Sequence, residues 1–130
     1  MNKGSICISL CAPTIDELRT KIEQAAGSAD IAEIRFDRLS PAEFESPGIL
    51  PPDKFEQLLK AAKTPILTTF RTKDQGGDRE LTSEERINFW STGYETELCD
   101  LEEDMVEDSW NWIWDDRICS YHDFVGTPDD

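Results

Sequence analysis

The sequence predicts an α/β fold built on a parallel sheet with helical crossovers. Three features point there. Segments rich in strand-forming residues alternate with segments of helical periodicity, and the connections are short. Two of the helical segments open with the spacing of a capping box. The strand segments divide into one apolar and one polar face, a pattern that a parallel sheet covered by helices on both sides would not show.

Taken in order, "SICISLC" (5–11) reads as the first strand. "TIDELRTKIEQAAG" (14–27) follows as a helix, with Thr14 and Glu17 spaced to satisfy free backbone donors at its start. Leu18, Ile22 and Ala25 recur at helical spacing, and Gly27 supplies a stop. "IAEIRFDRL" (31–39) is the second strand. A Ser/Pro-containing loop leads through Pro51 and Pro52 to the helical "DKFEQLLKAAK" (53–63). "TPILTTFR" (64–71) is the third strand, followed by the polar loop "TKDQGGDRE". Thr82 and Glu85 repeat the capping-box spacing before a helix over "SEERINFWSTGYE". "ELCDLEE" (97–103) is the fourth strand. In "DSWNWIWDD" (108–116) the tryptophans at 110, 112 and 114 alternate as in a strand, but its place between two strands predicts a short irregular helix. "RICSYHDF" (117–124) is the fifth strand.

A chain of 130 residues has room for one domain. Its net charge of −15 repels phosphate backbones and anionic bilayers, so neither nucleic acid nor a membrane is an expected partner. After Glu97 the only lysine or arginine is Arg117. The four cysteines make no CxxC pair and lie in apolar runs, which fits a reduced, cytoplasmic setting. The N-terminus lacks the apolar stretch of a signal peptide, and no run has the length of a membrane span.

Residues two apart in a strand share a face. Glu33, Arg35 and Asp37 therefore lie together, opposite Ala32, Ile34 and Phe36. The same split separates Ser9 from Ile8 and Leu10, Arg71 from Phe70, and His122 from Tyr121. Charges on one face of a covered sheet would be costly unless paired, for instance Glu33 with Arg35 or Arg71. A partial (β/α) barrel resolves the difficulty, because its interior at the C-terminal strand ends is an enclosed polar site. Arg35, Asp37, Arg71, Glu102 and His122 all fall late in their strands.

In order and spacing, "AEIRFDRL", "ILTTFRTKDQGG", "CDLEED" and "CSYHDFVGTP" resemble type I 3-dehydroquinate dehydratase, a family of (β/α)8-barrel enzymes of the shikimate pathway. The resemblance implies dehydration of 3-dehydroquinate through a Schiff base between a lysine and the substrate ketone. It implies that His122 acts as general base and then general acid, and that Ser9, Glu33, Arg35 and Arg71 contact the substrate. It implies no metal or dissociable cofactor. Where the family often carries a glutamate that orients the histidine, this chain has Gln75, with Asp74 beside it. The segment between the fourth and fifth strands is also short for the family and rich in tryptophan.

The family's Schiff-base lysine lies on the strand after the histidine strand. None of Lys3, Lys21, Lys54, Lys60 or Lys63 falls at a suitable strand end, and Lys73 in the loop after the third strand is a poor substitute. Residues 1–130 are therefore expected to form the N-terminal part of a single barrel domain, about five strands of eight, inactive in isolation. The expected parent is either a single enzyme or a fusion with shikimate dehydrogenase, an arrangement the resemblance allows. The alternative is a non-catalytic half-barrel that binds a ligand or partner. In that half-barrel two exposed sheet edges predict a homodimer, the two copies closing on each other through the first and fifth strands.

Overall fold

The structure is a computed structural model and describes residues 4–108 and 116–126. Its centre is a five-stranded parallel sheet: β1 (Cys7–Leu10), β2 (Ile31–Arg35), β3 (Ile66–Thr69), β4 (Leu98–Glu102) and β5 (Asp116–Ser120). The strands lie side by side in chain order. A sheet wound in one direction has no switch point, so successive crossovers fall on the same side and the other face is left to line an interior. The sheet is open, with β1 and β5 at its edges.

Among the described residues three helices make the first three crossovers: α1 (Ile15–Gln24), α2 (Pro52–Ala61) and α3 (Ser83–Ser91). Each buries one stripe: Ile15, Leu18 and Ile22 from α1, Phe55, Leu58 and Ala61 from α2, Phe89 and Trp90 from α3. These meet Leu10, Ala32, Ile34, Ile66, Cys99 and Leu101 of the sheet in one core cluster. Aromatic rings tie the layers together. Phe70 stacks on Phe89 at 4.1 Å, and Phe89 meets Phe36 at 5.3 Å and the edge of Trp90 at 5.1 Å. Buried side chains of this size carry much of a core's stability.

The elements are shorter than the sequence patterns suggest, for local reasons. β2 stops at Arg35 and the chain turns through a 3-10 segment, Phe36–Arg38, so Asp37 lies beyond the strand rather than on it. Arg71 and His122 likewise sit just past the ends of β3 and β5. α2 starts one residue early, at Pro52, whose fixed φ suits a first helical position. α3 ends at Ser91 instead of running on to residue 95, because Gly93 adopts φ 76° and turns the chain out of the helix. Most of the tryptophan-rich segment, 109–115, lies outside the described residues. No helix among the described residues is long and apolar enough to cross a membrane.

Candidate active site

The polar face of the sheet collects at the C-terminal ends of β2 to β5. Register places Ser9 beside Glu33 and Arg35 beside Thr69. The charges do not pair as the sequence suggested. Arg35 is clasped by Asp37, Nε to Oδ1 at 2.9 Å and Nη2 to Oδ2 at 2.7 Å, and also donates to the Gly76 carbonyl at 3.3 Å. Hydrogen bonds to Asp37 outweigh burial and raise the Arg35 pKa, so the cation is secure. Glu33 instead accepts from the Thr69 hydroxyl at 2.8 Å. Arg71 donates from Nη2 to Asp100 Oδ2 at 2.6 Å. Both arginines are thus held in a fixed orientation by a carboxylate, which suits presenting the rest of the guanidinium fork to a ligand.

His122 follows β5 and is half-buried. Burial lowers its pKa, with Arg71 and Arg35 adding to the effect and Asp100 and Glu33 opposing it. The ring is therefore neutral at neutral pH and able to accept a proton. Four buried polar atoms here find no hydrogen-bond partner among the described residues: His122 Nδ1, Ser120 Oγ, Arg71 Nε and Asp100 Oδ1. Unpaired buried groups are costly, and a cluster of donors and acceptors at three neighbouring strand ends suits a ligand rich in hydroxyl groups.

The loop after β3 closes over this cluster. Gly76 sits at φ 90°, a conformation that disfavours side chains, and a Cβ at Gly77 would lie 1.9 Å from the Arg71 carbonyl oxygen. The two glycines let the loop fold back tightly on its own strand. That fold carries the Gln75 amide oxygen to the backbone N–H of His122, at 2.9 Å. The contact is to the main chain and not to the imidazole. Phe124 covers Gly76, and its ring lies parallel to that of His122 with centroids 6.2 Å apart.

The family model described as Type I 3-dehydroquinase matches residues 6–130. The chain belongs to the type I 3-dehydroquinase family. It is 30% identical to the 3-dehydroquinate dehydratase of Pyrococcus abyssi, over 95% of this chain and 54% of that protein. It therefore spans about half the length of the curated relative it matches. The structure of 3-dehydroquinate dehydratase from Enterococcus faecalis is similar at a TM-score of 0.73 and 20% identity, covering 95% of this chain and 55% of that one. The enzyme structure from Geobacillus kaustophilus is similar at 0.70 and 22%, covering 97% and 52%. The fold is accordingly that of a partial (β/α) barrel of type I 3-dehydroquinase.

Of the six residues singled out from the sequence, Glu33, Arg35, Arg71 and His122 are brought together electrostatically, and Gln75 is tied to His122. Ser9 lies on the same face of β1 and is exposed. Asp100 was passed over, although strand alternation put it on the polar face and register sets it beside Thr69. Phe124 was passed over as well, although it lies in the segment "CSYHDFVGTP" that carries the resemblance. Glu102 points to other partners, described below. Lys21 donates to the Cys11 carbonyl, and Lys54 and Lys60 pair with Glu43 and Glu56. Lys73 is exposed. No group of three or more metal-binding side chains occurs among the described residues.

Proposed function

We propose that residues 1–130 are the N-terminal part of a single (β/α)8-barrel domain whose activity is the dehydration of 3-dehydroquinate to 3-dehydroshikimate. The observation that carries this reading is His122, neutral, partly desolvated and flanked by two oriented arginines in a chain of this family. In the reaction a lysine outside these residues condenses with the ketone, and the iminium acidifies the adjacent C–H. His122 removes that proton. As the C–O bond breaks it returns the proton to the departing hydroxyl, which leaves as water with the ring neutral again. A water then hydrolyses the product iminium, replacing the one lost when it formed and freeing the lysine, so one water is lost per turnover. Arg35 and Arg71 hold the hydroxyls of the substrate, with Glu33 and Ser9 completing the contacts. No metal or dissociable cofactor takes part, and the setting is the cytoplasm.

Reading the DNA beyond codon 130 and assaying the product of the whole reading frame tests the proposal. The frame is expected to continue into a lysine-bearing strand, alone or fused to a shikimate dehydrogenase, and its product to dehydrate 3-dehydroquinate. The 130-residue chain is expected to form no adduct when borohydride is added with the substrate. A stop after codon 130, or a whole product without turnover, would overturn the proposed activity; a trapped adduct on the short chain would overturn its predicted inactivity.

A further inference from the structure

We infer that the ion pair between Arg86 of α3 and Glu102 at the end of β4 is a positioning device for His122. Arg86 Nη2 donates to Glu102 Oε2 at 2.6 Å, and Asp104 holds the same guanidinium at 2.6 and 2.8 Å. The other oxygen of Glu102 accepts the backbone N–H of Thr72 at 3.0 Å. Thr72 is the knot of the loop after β3. Its carbonyl accepts from the N–H groups of Gln75 and Gly77, at 3.0 and 2.9 Å, and its hydroxyl accepts from Leu81 N–H at 3.1 Å. Gln75 then holds the His122 main chain at 2.9 Å. Arg71, whose charge acts on the His122 ring, is the residue just before the knot.

Glu102, Arg86 and Thr72 are 2%, 8% and 7% exposed. Ion pairs buried this deeply rarely stabilise a fold better than apolar packing would, so a structural part of the molecule is a weak reason to have one. A rigid, directional tether at the root of a functional loop is a stronger reason, since small misplacement of a proton-transfer group costs rate steeply. The functional meaning of this device rests on His122 being the proton-transfer group. Its mechanical content does not, and the two can fail separately.

His122 is the only histidine, so its ring C2–H resonance is a unique NMR probe. Its titration would be followed in the wild-type chain and in Arg86→Met, Arg86→Lys, Glu102→Gln and Lys54→Met, with circular dichroism to establish folding. The ring is faced by Arg71 after β3, Asp100 on β4, and Arg35 and Glu33 on β2. Loosening the knot lets water in and weakens the hold of Arg71. Arg86→Met and Glu102→Gln are therefore expected to raise proton affinity at His122 by about twofold or more, toward its ordinary value. Arg86→Lys should recover part of the shift, and Lys54→Met, which breaks the unrelated pair with Glu43, should leave the titration in place. An unchanged titration in either folded variant overturns the inference, as does an equal shift in Lys54→Met. Should neither variant fold, amide exchange in the wild-type chain decides. The Thr72, Gln75 and His122 N–H groups are then expected to open together, and protection at His122 more than about tenfold from that at Thr72 overturns the inference. A whole reading frame lacking dehydratase activity would leave all these results standing.

Discussion

At His122 the field of the site has a readable sign. Burial and the two arginines favour the neutral ring, while Asp100 and Glu33 favour the cation. Removing Arg71 in Arg71→Met should therefore raise the His122 pKa, and removing the negative charge in Asp100→Asn should lower it further. Opposite shifts in an NMR titration check this, and shifts of one sign would contradict it. Because the folded pKa lies below the unfolded value of about 6.5, this group's contribution to stability is complete above that pH. It is lost as pH falls through the folded pKa. Arg71→Met should flatten that dependence. Strand alternation in the sequence was enough to put Glu33, Arg35 and His122 on one face. It could not choose their partners, because Arg35 meets Asp37 only after the chain turns and Glu33 meets Thr69 only through the register of two strands.

Helix α3 shows what can be read at the level of an element. Its capping box is complete, with the Thr82 hydroxyl accepting from Glu85 N–H at 3.1 Å and the Glu85 carboxylate accepting from Thr82 N–H at 2.8 Å. Burial pushes Glu85 up, but the Thr82 N–H and the Arg79 guanidinium more than offset it and hold the carboxyl below its usual range. The stabilisation is thus present above an unfolded pKa of about 4.3 and is lost as pH falls through the lower folded value. Thr82→Ala should cost about 1 kcal/mol in urea unfolding at neutral pH. The cost should shrink in acid, where Glu85 is protonated. The start of this helix was legible because four residues define it. Its end was not, since the stop lies in the backbone conformation of Gly93 rather than in any break of hydrophobic periodicity.

Across the molecule, strand–helix alternation and a one-sided polar face were sufficient to indicate a barrel-type sheet, because both follow from which residues can be buried. The Thr72 knot was not, since its bonds all use backbone N–H groups, which every residue but proline carries, and Glu102 reaches it only through the fold. The open sheet leaves Ile6 63%, Ile118 45%, Tyr121 61% and Val125 99% exposed on or beside its edge strands. We expect two such sheets to pair through β1 and β5 against the repulsion of net charge −15 on each chain. Added salt screens that repulsion. Light scattering should therefore report a mass moving from 14.8 kDa toward twice that value as salt is raised. A monomer at every salt concentration would exclude the pairing.

The side-by-side order of the strands has a kinetic corollary. Within this sheet each of β2 to β5 hydrogen-bonds to the strand made just before it, so none of these four must wait for a distant later segment to find its place. Loop-closure entropy is then met in small instalments, and the chain can be assembled one strand–helix unit at a time as it leaves the ribosome. The leading edge of the growing sheet is always the newest strand. Until the next one arrives, that edge is where a nascent chain of this topology is most open to mispairing with its neighbours on the same message.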